Sequence, residues 1–557
     1  MMADGKTRTA ARILVDQLVA QGVERASCVP GESYLSVLDA LIGSGIDLLT
    51  CRAEGGAAMM AEAYGKMTGR PGICFVTRGP GATNASPGLH IAMQDSTPMI
   101  LFVGQIERGM RDREAFQELD YRATFGSLAK WVVEIDDAAR IPEIIARAFR
   151  VAMQGRPGPV VIALPEDMLD DTADVADAPR VDPVETSPSP ADIDRLSDLL
   201  ASAKQPLVIV GGSRWTAEAR DALIDFVRCH DLPVAAQFRR SSLFPATDDH
   251  YVGDLGIGPN PKLADYLRTS DLILLIGGRM SEIASSSYTL LAIPSPTQQL
   301  VHVHPDPMEL GRVYQPVLAI NATPGAFLDA AVRIAATPNW SAAELRESYR
   351  AWSDTPPPVP GEFQYGEVMA WLRDRLPDDA VICNGAGNFA GWIHRYYRFR
   401  GFATQLAPTS GSMGYGVPAG VMAKRQKPGS IVVTIAGDGD FLMNGQEFAT
   451  AVHHHIPLIV VLIDNGIYGT IRMHQEKTFP GRISATDLTN PDFAALARAY
   501  GGRGETVTAT AEFAPAFERA LASGRPAIVH CHLDPQAIAP TTTLDAIRAA
   551  ASHKEKP

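Results

Sequence analysis

Short apolar runs recur along the chain between stretches of helical character. Seven of them show no alternation of apolar and polar residues: GICFVT from Gly72, PMILFVG from Pro98, PVVIALP from Pro159, PLVIVGG from Pro206, DLILLIGG from Asp271, IVVTIAG from Ile431 and PLIVVLID from Pro457. A strand that is apolar throughout needs helices on both faces of its sheet, as parallel sheets have. The pattern therefore predicts an α/β fold built from doubly wound parallel sheets.

Two segments without periodicity interrupt this pattern. Residues 172–191 are rich in Asp, Pro, Ser and Val, and residues 355–360 read TPPPVP. Proline-rich segments of this kind are typical of connectors. They leave three α/β sections of ordinary domain size, and we predict domains over residues 1–175, 190–345 and 361–545.

Composition narrows the class of protein. The chain has 557 residues, 46% of them hydrophobic, which is more than one core accommodates. Its net charge of −13 is spread along the chain without a Lys/Arg stripe, so nucleic acid is not an expected partner. Six scattered cysteines without a CxxC pair favour a reducing cytoplasmic location. Neither a signal peptide nor a membrane-spanning run is visible, so a membrane is not an expected partner either.

The strongest chemical signal runs from Gly437 to Asn465, GDGDFLMNGQEFATAVHHHIPLIVVLIDN. One predicted strand leads into GDG, a helix follows, and a second strand ends at Asp464-Asn465. Both strand ends can reach one sheet edge, where glycines and a helix start suit a diphosphate. Asp438 and Asn465 add hard oxygen ligands for Mg²⁺ or Ca²⁺. GDG or DNG alone is more often an ordinary turn, but together they predict a metal-diphosphate site.

This segment resembles the thiamine-diphosphate motif, which begins with GDG and ends in an Asn-containing pair. The resemblance implies thiamine diphosphate and Mg²⁺ as cofactors. Its metal ligands would be Asp438, Asn465 and the backbone carbonyl of Ile467. The positions that would line the diphosphate are Gly437, Gly439 and Asp440.

A second motif carries the carboxylate that thiamine chemistry needs. Thiamine is activated through its aminopyrimidine ring, when a carboxyl group shares a proton with a ring nitrogen. Glu54 follows a predicted strand at residues 47–51 and begins a helix of small residues, after which comes the glycine loop TRGPGATN at residues 77–84. Alone, it would be an ordinary helix-start carboxylate. The whole arrangement resembles the pyrimidine-binding domain of the acetolactate synthase-like branch of thiamine enzymes, so we interpret Glu54 as catalytic, although Ala53 stands where many relatives carry His.

Resemblance to this branch covers essentially the whole chain and implies pyrimidine-binding, central and diphosphate-binding domains. It implies that Phe116 and Gln117, in AFQELD, face the reacting carbon, with Gln117 orienting the acceptor. It also implies that Lys130 lies in the substrate channel. Met413, in GSMGYGVPAG, matches the bulky residue that bends the cofactor, although a buried Met or Phe is more often simply part of a core.

Other positions depart from the acetolactate synthase pattern. Gly387-Asn388 stands where those enzymes usually have a Gln-His pair for the diphosphate, and we keep Asn388 as a cofactor contact. His474 replaces a usual Trp, and we predict that His474 and Gln475 shape the donor pocket. The central section has GGRMSE at residues 277–282 in place of the flavin-contacting sequence and lacks GxGxxG, which counts against FAD.

Two histidine-rich segments invite a metal interpretation. His453, His454 and His455 point in different directions on a helix and cannot bind one ion, so we interpret them as an exposed helix end. His530 and His532 share one face of a predicted strand, but the sequence places no carboxylate or second cysteine pair near them. We therefore expect no metal at either segment.

These positions together predict an enzyme of the transferase or lyase class. It would decarboxylate a 2-oxo acid such as pyruvate and add the remaining unit to a second carbonyl, as a homodimer or homotetramer. The alternatives are a non-oxidative 2-oxo acid decarboxylase, a 2-hydroxy ketone or 2-hydroxyacyl-CoA lyase, a catalytically silent binding or regulatory homologue, and a nucleotide-binding protein. The Phe116-Gln117 pair favours carboligation, because simple decarboxylases commonly carry histidine there, and the nucleotide fingerprints are missing.

Overall fold

Three sheets of six parallel strands form the framework of the chain. The computed structural model describes residues 7–336 and 340–553. All seven strands predicted from the apolar runs are present, with ends within two residues of the predicted ones. Helices accompany each sheet, so the predicted fold of three parallel-sheet domains is confirmed. The exact domain boundaries stay predictions.

The first sheet has the strand order β3-β2-β4-β5-β7-β6, and a separate antiparallel pair joins β1 to β8. The strands are β1 (Arg8–Thr9), β2 (Arg25–Cys28), β3 (Asp47–Thr50), β4 (Gly72–Val76), β5 (Met99–Gln105), β6 (Trp131–Glu134), β7 (Pro159–Pro165) and β8 (Thr172–Ala173). The helices are α1 (Ala10–Ala20), α2 (Leu35–Leu41), α3 (Glu54–Thr68), α4 (Pro80–Asn84), α5 (Ser86–Asp95), α6 (Tyr121–Phe125) and α7 (Ile141–Met153). Apolar residues at helical spacing bury one face of α7, including Ile141, Ile145 and Phe149.

The second sheet has the order β11-β10-β9-β12-β13-β14. Its strands are β9 (Pro206–Val210), β10 (Val234–Gln237), β11 (Tyr251–Leu255), β12 (Leu272–Ile276), β13 (Gln299–His304) and β14 (Leu318–Asn321). The helices of this section are α8 (Pro190–Ser202), α9 (Ala217–His230), α10 (Pro261–Thr269), α11 (Pro324–Ala331) and α12 (Ala343–Ser353). A capping box between Ser189 and Asp192 and a proline in the first turn fix the start of α8.

The third sheet has the order β16-β15-β17-β18-β20-β19. Its strands are β15 (Val381–Asn384), β16 (Gln405–Leu406), β17 (Val432–Gly437), β18 (Ile459–Asp464), β19 (Arg503–Val507) and β20 (Ala527–His532). The helices are α13 (Tyr365–Arg375), α14 (Ala390–Tyr396), α15 (Gly416–Gln426), α16 (Asp438–Asn444), α17 (Glu447–His453), α18 (Gly469–Thr478), α19 (Phe493–Ala499), α20 (Thr510–Ala522) and α21 (Leu544–Ser552). Because β17 and β18 are parallel neighbours, GDG and Asp464-Asn465 end at one sheet edge, as predicted.

The connecting segments agree with the sequence pattern to within a few residues at their ends. Residues 174–189 and 354–364 contain neither helix nor strand. Thr172–Ala173, however, pairs with Arg8–Thr9, so the first connector begins two residues later than predicted. No helix in the described parts of the chain is long and apolar enough to span a membrane.

Two compact units divide the described residues. The first contains the chain up to Val184 together with Val421–Gln426 and Asn444–Ile456, and the second contains the remaining residues. The first unit therefore includes α17 and the histidines that follow it. The prediction for this segment was wrong at His454, which lies beyond the helix and is half-buried, with its Nε2 accepting a hydrogen bond from the Thr50 N–H at 3.0 Å.

Candidate active site

A cavity of about 270 Å³ in the second unit brings eight predicted cofactor residues together. The ends of β17 and β18 form part of its wall. The predicted residues that line it are Asn388, Met413, Gly437, Asp438, Gly439, Asp440, Asn465 and Ile467. Glu54, the ninth predicted cofactor residue, belongs to the first unit. The eight lining residues, which are distant in sequence, thus meet at a sheet edge, where ligands of α/β folds usually bind.

Asp438 is buried and held by three donors. Its Oδ1 accepts a hydrogen bond from the Gly439 N–H at 2.9 Å. Its Oδ2 accepts from the Gly466 N–H at 3.0 Å and from Asn490 Nδ2 at 2.7 Å. Burial raises the pKa of Asp438, and the nearby Asp464 carboxylate raises it further. A cation beside Asp438 would favour its ionised form and offset both effects.

Asn465 and Ile467 complete an oxygen donor set with Asp438. Gly466 has a φ of +66° in the turn between them, a conformation that favours glycine. The Ile467 N–H lies 3.3 Å from Asn465 Oδ1, which orients the amide. A carboxylate, an amide oxygen and a backbone carbonyl are hard ligands, and therefore these residues fit Mg²⁺.

Asp440 joins two loops of the cavity wall. Its Oδ1 accepts hydrogen bonds from the Ala386 N–H at 3.0 Å and the Gly414 N–H at 2.9 Å. Its Oδ2 is buried and has no hydrogen-bond partner among the described residues. Burial raises the pKa of Asp440 to about 7. The carboxyl group therefore fixes the loops that carry Asn388 and Met413.

Asn388 is held by both ends of its amide. Its Nδ2 donates to the Ile538 carbonyl at 3.0 Å, and its Oδ1 accepts from Thr470 Oγ1 at 2.8 Å. Thr470 and Ile538 also line the cavity. These two contacts fix the amide orientation in the cavity wall.

Glu54 begins helix α3 in the first unit. The N–H groups of Arg52 and Ala53 donate to Glu447 Oε1 at 3.1 and 2.9 Å, which fixes the backbone just before Glu54. The Glu54 Oε2 accepts from Asn84 Nδ2 at 3.1 Å. The start of α3 and the last residue of the glycine loop thus position this carboxylate.

The glycine loop packs against both predicted catalytic residues. A Cβ on Gly81 would lie 3.2 Å from Glu54 Oε1. A Cβ on Gly79 would lie 2.7 Å from the Cβ of Gln117, and Gly79 has a φ of +58°, so larger residues are excluded there. The loop of residues 77–84 therefore contacts Glu54 on one side and Gln117 on the other.

The predicted substrate residues have varied surroundings. Phe116 is 72% exposed. Lys130 Nζ donates to the carbonyls of Gln154 and Arg156 at 2.8 and 2.7 Å, which gives the ammonium a structural role. His474 is exposed on α18, and Gln475 Nε2 donates to the Ser484 carbonyl at 2.6 Å. Phe116 and Lys130 belong to the first unit, and neither His474 nor Gln475 is among the residues that line the cavity of the second.

Three contacts near the predicted site residues were not predicted from the sequence. They are the hydrogen bonds of Asn490 to Asp438 and of the Arg52 and Ala53 N–H groups to Glu447, and the contact of His530 with a carboxylate. Asn490 lies 52 residues after Asp438, and no local pattern links them. The expectation that no carboxylate lies near His530 was wrong, because the pairing of β18 with β20 brings Asp464 Oδ2 within 2.9 Å of its Nε2. Knowledge of the strand order would have revealed the contact between Asp464 and His530, but single-sequence patterns do not give strand order.

The parallel sheets and the cavity at a sheet edge define an α/β protein with a site suited to a phosphorylated ligand. Family models agree with this class. The model described as "Thiamine pyrophosphate enzyme, N-terminal TPP binding domain" matches residues 8–124, the central domain matches residues 193–331, and the C-terminal TPP binding domain matches residues 385–531. The chain therefore belongs to the thiamine pyrophosphate enzyme family.

Curated relatives extend over nearly the whole chain. The acetolactate synthase isozyme 2 large subunit of Escherichia coli is 32% identical over 94% of this chain and 95% of its own length. The acetolactate synthase large subunit of Corynebacterium glutamicum is 31% identical over 94% of this chain and 86% of its own length. The acetolactate synthase of Bacillus subtilis is 27% identical over 94% of this chain.

Proposed function

We propose that this chain is a carboligase that uses thiamine diphosphate and Mg²⁺, decarboxylates a 2-oxo acid such as pyruvate and joins the remaining unit to a second carbonyl. The observation that carries the proposal is the cavity, around which eight residues predicted from one family motif and its neighbours meet. The similarity to proteins named acetolactate synthase supports the choice of reaction.

The donor set of the cavity supports Mg²⁺ and a diphosphate. Asp438, Asn465 and the Ile467 carbonyl would hold the ion, and Gly437 and Gly439 add no side chain of their own to the cavity wall. Asn388 and Met413 would contact the cofactor from the loops that Asp440 ties together. Thiamine diphosphate, when bound, supplies a thiazolium ring that accepts the electron pair released when a 2-oxo acid loses carbon dioxide.

Glu54 and Gln117 would serve different steps of the reaction. The Glu54 carboxylate, which Asn84 orients, would exchange a proton with the pyrimidine ring. Gln117 packs against the same glycine loop, and its amide would orient the acceptor carbonyl. Phe116, Lys130, His474 and Gln475 have less support as substrate contacts.

We further propose a cytoplasmic homodimer or homotetramer. The resemblance to acetolactate synthase-like enzymes motivates the oligomer, because it implies that one subunit would hold the pyrimidine and another the diphosphate. Sedimentation equilibrium of the active protein tests this proposal, and a fully active monomer would contradict it.

Proton NMR of the products formed from pyruvate tests the proposed reaction. Purified protein is incubated with pyruvate in four mixtures, with and without thiamine diphosphate and with and without Mg²⁺. We expect acetolactate only when both cofactors are present. Acetaldehyde alone would favour a decarboxylase, and cleavage of 2-hydroxy ketones without ligation would favour a lyase. If neither pyruvate nor a larger 2-oxo acid, tested in the same four mixtures, is consumed, the proposal fails.

A further inference from the structure

The third sheet brings one carboxylate and two imidazoles together at the ends of neighbouring strands. Asp464 ends β18 and His532 ends β20, and these two residues are opposite each other in the parallel register. His530 lies two residues before His532 and therefore on the same face. One ligand atom from each of the three residues lies within 4.8 Å of the others.

Contacts fix the Asp464 carboxylate before any ion binds. Its Oδ2 lies 2.9 Å from His530 Nε2. Its Oδ1 accepts hydrogen bonds from the Gly466 N–H at 3.0 Å and from Asn490 Nδ2 at 2.8 Å. Metal-binding carboxylates and imidazoles usually have such supporting partners, which orient them toward the ion.

The Nδ1 atom of His530 could carry the ring proton when Nε2 binds an ion. The ring is buried, and its Nδ1 has no hydrogen-bond partner in the part of the chain that the structure describes. The nearest carboxylate oxygen, Asp492 Oδ1, is 3.9 Å from this Nδ1. If Nε2 bound an ion, the ring proton would lie on Nδ1 and face Asp492, as the second nitrogen of a ligating histidine usually faces an acceptor.

His532 offers a third ligand atom on the solvent side of this cluster. Its ring centroid lies 4.2 Å from that of His530, and its side chain is exposed. An ion can therefore reach the cluster from solvent, and water can fill the coordination positions that the protein leaves open.

Two imidazole nitrogens and one carboxylate oxygen favour Zn²⁺, Co²⁺ or Ni²⁺ over Mg²⁺, which prefers oxygen ligands. We propose that Asp464, His530 and His532 bind a divalent first-row transition-metal ion, at a site separate from the oxygen ligands of the cavity. Asp464 would bind the ion while it keeps its hydrogen bonds from the Gly466 N–H and Asn490 Nδ2. The same two donors also bind Asp438.

Cobalt titration tests this site. The full-length protein is first saturated with thiamine diphosphate and Mg²⁺, so that the oxygen ligands are occupied, and Co²⁺ is then added while visible d–d absorption is recorded. We expect one Co²⁺ per chain with nitrogen-type absorption. His532→Ala, on an exposed residue, should weaken binding by at least about tenfold. His455→Ala, a control on an exposed histidine of the first unit, should bind like wild type.

His530→Gln provides a second test, with folding checked by circular dichroism. It should abolish the absorption while the protein stays folded. Absence of bound Co²⁺ in the wild type would overturn the proposal. Unchanged binding in the folded His532→Ala and His530→Gln variants would overturn it as well.

Discussion

Glu54 is the side chain that we propose for proton transfer. Its backbone begins α3, and its carboxylate accepts a hydrogen bond from Asn84 Nδ2 at 3.1 Å. A change from carboxylate to amide keeps the size of the side chain and removes its ability to take up a proton. The effect of Glu54→Gln therefore isolates acid–base chemistry from packing.

We predict that Glu54→Gln lowers kcat for the 2-oxo acid by about 10²–10⁴-fold, the usual contribution of a positioned acid or base. Thiamine diphosphate binding, measured by calorimetry, should stay close to wild type because the metal ligands are untouched. Glu24→Gln, on an exposed glutamate, is the control. Near-normal turnover of Glu54→Gln would remove this residue from the mechanism.

Asp254, at the end of β11, makes the stability of the protein depend on pH. Burial raises its pKa from 3.8 to about 7. Between these values the unfolded chain loses its proton first, so the folded state is destabilised as pH rises. A difference of roughly three pKa units corresponds to about 4 kcal/mol.

We predict that Asp254→Asn removes this dependence. The variant should unfold at a higher temperature than wild type at pH 8, and the gain should shrink as pH falls and vanish below about pH 3, where the wild-type carboxyl is protonated in both states. Scanning calorimetry at several pH values measures this difference. The exposed Asp225→Asn serves as the matched control. A gain that does not change with pH would contradict the prediction.

Single residues could be predicted from the sequence where a motif fixed their spacing. Asp438 and Asn465 stand at the ends of adjacent strands within one continuous segment, so their meeting at one cavity was foreseeable. Asn490 was not, because it reaches Asp438 through a loop that follows no pattern. The partners of Lys130 could not be predicted for a similar reason, since they are backbone carbonyls distant in sequence.

At the scale of elements, helix α17 is linked to the start of α3. Glu447 is fully buried, and its Oε1 accepts from the N–H groups of Arg52 and Ala53. Its Oε2 accepts from Thr450 Oγ1 at 2.6 Å. A glutamine here would turn an NH₂ group toward one of these donors. The backbone before Glu54 would then shift.

We predict that Glu447→Gln lowers kcat by about tenfold or more while KM changes little, because small displacements of a catalytic group are costly. Steady-state kinetics and calorimetric cofactor binding separate this effect from lost binding. Glu347→Gln, on an exposed glutamate of α12, is the control. An equal fall in stability and activity with an unchanged kcat per folded molecule would show that Glu447 only stabilises the fold.

Elements with long apolar runs could be predicted from the sequence, and shorter ones could not. The runs of β5, β7 and β18 are continuous and buried, so periodicity identified them. Short or polar strands such as β16 and β19 gave no comparable signal. Their place in the sheet comes from tertiary pairing, which single-sequence patterns do not encode.

At the scale of the whole chain, three parallel-sheet domains agree with the matches of the three family models. Doubly wound sheets support many chemistries, so the fold alone does not choose a reaction. The cavity residues and the similarity to acetolactate synthases carry that choice. The central claim is that this cavity holds thiamine diphosphate through Mg²⁺.

Calorimetric titration of thiamine diphosphate in the presence of Mg²⁺ tests this claim most directly. Asp438→Asn keeps the size of the side chain but removes the negative charge that would bind the metal. We predict that it weakens Mg²⁺-dependent binding by more than about tenfold, whereas Asp374→Asn, on an exposed carboxylate, binds like wild type. Equal affinity of the Asp438→Asn variant and the wild-type protein would contradict the account.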